Sequence, residues 1–433
     1  MTEDLSARLC ALHMLHQVLE KKQSFDLLIE KDHDFRNLSK QDRGFVHMLC
    51  ATTLRHLGQC DDIIQKLQDK ANPQKQPILN NILRIGIVQI LFMNVPDHAA
   101  VNTSVNLCEL KELSRAKNYV NAILRRFLRE KDILLSKQDE VRLNIPEWLL
   151  KPLINDWGLS HAAKIGASLL QEAPIDISIK NPGMLEHWLK ELDAQHIFHN
   201  SVRLKNPSAI QSLSGYEDGH WWVQDTAAAL PVALMGNVED KTVFDICAAP
   251  GGKTAQLAAQ GAKVIALDRS AKRLSRLNDN MKRLSLDTFV ETEATDAAVW
   301  KPTEQADMVL LDAPCTATGV IRRHPDILHL KSTRDIDALS RTQASIFDHA
   351  ADLVAAGGQL IYCTCSILKA EGEDQVEKFL LNHPEFERSP IQYDEAAGHS
   401  AFIDNSGNIR TFPYFMDELG GIDGFFISRL QKK

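Results

Sequence analysis

Apolar positions recur at helical spacing through the first third of the chain and at strand spacing through its last half. Leu5, Leu9, Leu12 and Leu19 share one stripe at a 3.6-residue period, which predicts an amphipathic helix. Ser39-Lys40-Gln41-Asp42 reads as a helix start, with Phe45, Val46, Leu49 and Leu54 on one face behind it. Pro77 suits a first helical turn ahead of Ile78, Ile82, Ile85 and Phe92, and Pro96 closes that segment. Further helices are predicted over about 99–110 and 114–129. Residues 1–135 therefore read as an all-α domain that carries no chemical motif.

Residues 136–170 also read as helical, punctuated by Pro146 and Pro152, with Trp148 and Trp157 as packing anchors. The period then changes. Ile175, Ile177 and Ile179 alternate with polar residues, 186–194 reads as a helix, and Val202 with Leu204 as a short strand. Residues 140–225 are predicted to form a small α+β module. From 226 to 433 strands and helices alternate, with strands at 242–246, 263–268, 289–295, 308–312, 359–363 and 424–430. That alternation, with continuous apolar strands, predicts a Rossmann-like α/β domain whose parallel sheet is covered on both faces.

Composition narrows the class. A chain of 433 residues has room for two to four domains. No apolar run is long enough for a membrane span, and the start, Met1 to Leu5, lacks a secretory core, so a cytoplasmic protein is expected. Eight cysteines spread over this length argue for reduced thiols rather than a disulfide framework. The net charge of -8 excludes a general nucleic-acid coater. A local basic run, Lys111 to Lys131, with Arg115, Lys117, Arg125, Arg126 and Arg129, is either a solvated helix face or an RNA-facing patch.

The turn after the first strand of the last domain is Cys247-Ala248-Ala249-Pro250-Gly251-Gly252-Lys253-Thr254. Its glycines allow close backbone approach, and the following helix start favours an anionic group. A phosphate-binding P-loop is excluded because Cys247 stands where its first glycine is required and Pro250 removes an N–H. A dinucleotide fingerprint is likewise missing. S-adenosylmethionine fits better: its carboxylate would meet the turn, with Lys253 as counter-charge. Asp268, at the end of the next strand, would take the ribose hydroxyls, and Asp296 the adenine amine.

Asp312-Ala313-Pro314-Cys315 and Thr364-Cys365-Ser366 each follow an apolar strand. A thiolate that adds to C6 of a pyrimidine makes C5 nucleophilic, which is what methylation at that carbon needs. An unshifted thiol is only about 3% ionised at neutral pH, so such a site must favour the thiolate. Cys10, Cys50, Cys60 and Cys108 lie in helical segments and Cys363 inside a strand, all positions for packing. No second close Cys or His pair accompanies Cys363 and Cys365, so no metal is expected.

These motifs resemble the RNA cytosine-C5 methyltransferase family. Over nearly the whole chain the sequence resembles that family's Fmu/Sun (B-type) branch, which acts on bacterial small-subunit ribosomal RNA. The resemblance covers Asp245 to Thr254, Asp312 to Asp326, the Asp423-Gly424-Phe425-Phe426 ending and a NusB-like N-terminal region. It implies C5 methylation of one cytosine in 16S ribosomal RNA by a monomer. Cys365 would be the nucleophile and Cys315 would assist product release. Cys247, Ala248, Ala249, Pro250, Gly251, Gly252, Lys253, Asp268, Asp296 and Asp312 would line the cofactor pocket, Asp312 also reaching the base. DNA cytosine methyltransferases use a thiol equivalent to Cys315, and spacing does not decide between the two; the choice of Cys365 is the family's.

Arg322 and Arg323 follow the Cys315 loop and are expected to contact RNA phosphates around a base extruded from its stack. Two other functions fit parts of the sequence. An amino-group methyltransferase would want Asn/Asp-Pro-Pro-aromatic where Asp312 to Cys315 stand. An antitermination or assembly factor with a vestigial catalytic half would have no need of two thiols.

Overall fold

The computed structural model describes residues 3–68, 76–110, 113–205, 209–396 and 398–433. The chain forms two compact units, Met1–Gln171 with Ile321–Ser332, and Glu172–Val320 with Thr333–Lys433.

The first unit is helical. Its helices include Glu3–Lys21, Lys40–Arg55, Leu57–Leu67, Pro77–Phe92, Asp97–Leu110 and Lys117–Leu135. Ser39 caps its helix, its Oγ accepting from the Asp42 N–H at 3.1 Å, and Pro77 stands in a first turn. The buried stripe of the first helix is broader than the leucine repeat. Ala11, Leu12, Met14, Leu15 and Val18 are buried, while Leu5, Leu9 and Leu19 flank them.

The helical unit runs past the boundary expected at 135. Helices Glu140–Asn144 and Glu147–Leu169 belong to it, so the expected 140–225 module loses its first third to this unit. A second departure is larger. Residues 321–332, which follow the Cys315 loop in sequence, fold with these helices. The Phe25 N–H donates to Asp326 Oδ2 at 2.9 Å, the Trp148 indole to the Leu328 carbonyl at 3.1 Å, and Arg55 to the Arg322 carbonyl at 2.9 Å.

The second unit holds two sheets. β1 (Asp176–Ile179), β2 (Ala194–Phe198), β3 (Ser201–Leu204) and β4 (Trp221–Val223) form an antiparallel sheet in the order β2-β3-β1-β4. The helix expected to reach 194 stops at Glu191. Asp193 takes φ 44°, and the chain turns into β2, which pairs with β3, the strand read at Val202 and Leu204.

The larger sheet contains β5 (Thr242–Ile246), β6 (Lys263–Asp268), β7 (Val290–Ala294), β8 (Ala306–Asp312), β9 (Val354–Thr364), β10 (Phe386–Arg388), β11 (Ile409–Thr411) and β12 (Phe425–Lys432). Its order is β10-β12-β9-β8-β5-β6-β7, with β11 on β12. β5 to β9 pair in parallel, but β12 runs antiparallel to β9, β10 and β11. The sheet is thus mixed, not wholly parallel as expected. The apolar run Phe425–Ile427 is buried as a central strand should be, and burial says nothing about direction.

The chain runs from β5 outward through β6 and β7, then returns to place β8 and β9 on the other side of β5. The carboxyl ends of β5 and β8 therefore meet at the reversal of strand order, where open α/β sheets bind ligands. Among the described residues no helix is long and apolar enough to cross a membrane.

Candidate functional site

The β5–β8 and β8–β9 registers assemble the site. Ile246 pairs with Leu311, which brings the Cys247 turn beside Asp312, and Asp312 pairs with Cys363. Cys315 and Cys365 each lie just past these paired ends. Their sulfurs stand 3.4 Å apart, both partly buried. The loops are laced together, with the Gly319 N–H on the Cys365 carbonyl at 2.9 Å and the Gly424 N–H on the Gly319 carbonyl at 3.0 Å. A Cβ at Gly319 would fall 1.9 Å from the Gly424 oxygen, so this approach needs glycine.

The Cys315 thiol is held protonated, its pKa pushed well above the usual thiol range by its hydrogen bond to Cys365 and by burial. Lys253 Nζ donates to Asp312 Oδ2 at 2.7 Å and lies 5.2 Å from the Phe425 ring centre. Burial works against the ammonium. Asp312, with Cys363 and Cys365 nearby, more than offsets this and raises the Lys253 pKa. Lys253 is thus held by an ion pair to Asp312. The second Asp312 oxygen faces the Cys363 thiol at 3.6 Å, and Cys363 is fully buried, as its strand position implied.

The glycine turn is built on strained backbone. Cys247 has φ 65°, and Gly251 has φ 104° and opens the helix Gly252–Ala259. A Cβ on Gly251 would lie 2.7 Å from Leu277. Ala248 and Ala249 are buried, and the Ala249–Pro250 peptide is cis. Burial, and then the carboxylates of Asp312, Asp268 and Asp245, push the Cys247 thiol up to about 12, which leaves it a packing group.

Carboxylates stand at or just past the ends of β5, β6 and β7. Asp245 is fully buried and accepts from Thr254 Oγ1 at 2.6 Å; desolvation raises its pKa to about 7. Asp268, at the end of β6, accepts from the Ser270 N–H at 2.9 Å and pairs with Arg273 at 3.0 Å. Arg273 also donates to the Ala249 carbonyl, so it joins Asp268 to the glycine turn. Asp296 is more open, pairing with Arg269 at 3.1 Å.

Of the arginines after the Cys315 loop, Arg322 is only 3% exposed and Arg323 is half-buried, and both fold with the helical unit. In the basic run, Lys111 and Glu112 lie outside the described residues, while Lys117 pairs with Glu109 and Arg126 with Glu130 at 2.9 Å. Among the described residues no cluster of His, Cys, Asp and Glu could hold a metal ion.

Sequence reasoning missed Glu371, Gln343 and Arg273. Glu371 sits in an acidic stretch that reads as an ordinary helix start, and its partners come from distant loops. No signal in the local pattern marks it.

Residues 232–431 match the profile of the 16S rRNA methyltransferase RsmB/F family and residues 5–129 that of the NusB family. The chain is 33% identical over 448 aligned residues to ribosomal RNA small subunit methyltransferase B of Cronobacter sakazakii, covering 100% of both sequences. Its fold is similar to the crystal structure of PH0851, with a TM-score of 0.77, 24% identity, and coverage of 100% of this chain and 99% of that one. NSun6 from Pyrococcus horikoshii with SFG is a further structural neighbour, at TM-score 0.57 and 20% identity, over 66% of this chain and 98% of its own.

Proposed function

The chain belongs to the 16S rRNA methyltransferase RsmB/F family, and from that premise we propose that it methylates carbon 5 of a cytosine through a covalent adduct at Cys365. Its coarser activity follows from membership: it is an S-adenosylmethionine-dependent ribosomal RNA methyltransferase. The observation that carries the finer reading is the pair of thiols 3.4 Å apart beside the Lys253–Asp312 ion pair. Amino-group methylation has no use for that pair.

When bound, S-adenosylmethionine supplies a methyl group activated on a sulfonium. The residues present suit it. The turn Ala248–Gly252, kept free of a Cβ at Gly251, and the start of the helix Gly252–Ala259 would hold its carboxylate. Asp268 would hold the ribose and Asp296 the adenine amine.

Cys365 is taken as the attacking sulfur on the family resemblance, with the Cys315 thiol beside it at 3.4 Å. The Cys365 thiolate adds to C6, and the electron pair released to C5 forms the new carbon–carbon bond with the incoming methyl. Asp312, partly open to solvent, hydrogen-bonds the amino edge of the ring. C5 then gives up its proton to solvent water, the pair left at C5 forms the C5–C6 double bond as the C6–S bond breaks, and Cys365 leaves as thiolate, a step that Cys315 assists from beside it.

The test combines nucleoside analysis with a variant. Small-subunit ribosomal RNA from cells lacking this protein should lose one 5-methylcytidine, restored by the parent but not by Cys365→Ala. Restoration by Cys365→Ala, or loss of a different modified nucleoside, sinks the reading.

A further inference from the structure

We infer that Glu371 is the positioning residue that sets the spacing of the two thiols, an inference that rests on the covalent reading above. Glu371 ends the short turn Lys369–Glu371 and is 0% exposed. Its Oε1 accepts from the Thr316 N–H at 2.9 Å and from Gln343 Nε2 at 3.1 Å. Its Oε2 accepts from Ser366 Oγ at 2.6 Å and from the Thr316 hydroxyl. Its own carbonyl accepts from the Tyr362 hydroxyl at 2.9 Å and from Thr364 Oγ1 at 3.2 Å. Gln343 Nε2 also donates to the Pro314 carbonyl at 2.9 Å.

The residues on both sides of Cys315 (Pro314 and Thr316) and of Cys365 (Thr364 and Ser366) thus converge on one glutamate. Strand pairing places Asp312 opposite Cys363, but both catalytic sulfurs lie beyond the paired ends. Besides the Gly319–Cys365 backbone bond, a carboxylate with its acceptor sites filled from both loops holds them in step. A buried carboxylate without hydrogen bonds is costly, and the donors that satisfy Glu371 are neutral groups of these loops and of Gln343. Packing alone would be served by an apolar side chain.

Glu371→Gln tests this, because it keeps the shape and replaces one acceptor oxygen by a donor facing hydroxyl and N–H donors. A misplacement of about 1 Å at a reacting centre costs on the order of 100-fold in rate. We expect kcat on ribosomal RNA to fall by about that factor while KM for S-adenosylmethionine changes by no more than about twofold. Adduct formation in a Cys315→Ala background should slow by the same factor. A kcat within about threefold of the parent overturns the inference, as does a parallel loss of cofactor affinity and melting temperature, which marks general damage. Should Glu371→Gln not fold, Thr316→Val with Ser366→Ala removes donors from both loops while keeping the glutamate; unchanged kcat there also overturns it. Activity in Cys365→Ala would instead defeat the covalent reading itself, whatever Glu371 does.

Discussion

Cys315 Sγ and Cys365 Sγ stand 3.4 Å apart although fifty residues separate them. Adjacent parallel strands carry the two loops to one edge of the sheet, and the Asp312–Cys363 register sets their relative height. The hydrogen bond to Cys365 and burial both push the Cys315 thiol pKa upward.

The roles proposed for the two thiols predict a trapped intermediate. On that proposal Cys315→Ala leaves the attacking sulfur in place and removes the group that serves its departure. A protein–RNA adduct that survives denaturing electrophoresis should accumulate, at a level many times that of the parent. Its absence under turnover conditions reduces Cys315 to packing.

The Lys253–Asp312 pair predicts a loss in both stability and rate. Lys253→Met leaves the Asp312 carboxylate without its ammonium. Breaking a buried pair costs about 3–5 kcal/mol, and the partial exposure of Asp312 lowers this to about 2 kcal/mol. The melting temperature should drop by several degrees and methylation by at least about tenfold. Parent-like values of both would show that the pair is incidental.

Gly251 is the position where the cofactor turn tolerates least. Gly251→Ala places a methyl group at φ 104° and 2.7 Å from Leu277. Strain of about 1–3 kcal/mol should weaken S-adenosylmethionine binding by about tenfold or more, with RNA binding unchanged. Calorimetric titration of the full chain with the cofactor reads this directly. An unchanged dissociation constant contradicts it.

Asp245 predicts a pH dependence of definite sign. Its folded pKa is raised to about 7, above that of an unfolded aspartate near 3.9. The folded state then binds more protons between these values. The group's contribution is fully present below about pH 4 and is lost as pH rises through 7. Asp245→Asn removes the titration, so its melting temperature relative to the parent should improve between pH 5 and 7.5. A constant difference across that range indicates an ordinary carboxylate.

Much of the fold was legible locally. Thr242–Ile246 and Lys263–Asp268 form strands with the bounds their apolar runs predict, and Ser39 caps the helix it was read to start. Such features depend on neighbours within a turn or a strand. The β2 strand was hidden because its partner is β3, and the direction of β12 because an apolar run reads alike both ways.

The site divides along the same line. The glycine turn, the two strand-end thiols and the surrounding aspartates are short-range signals, since each chemistry needs particular residue types next to a strand end. The bracket at Glu371, the capture of Lys253 by Asp312 and the burial of Arg322 among helices depend on pairings between distant segments. The amino-acid order alone determined which groups are available and which elements carry them. Only strand register and packing decided which of those groups touch, because hydrogen bonds and burial act over a few ångströms in space, however far apart the residues lie along the chain.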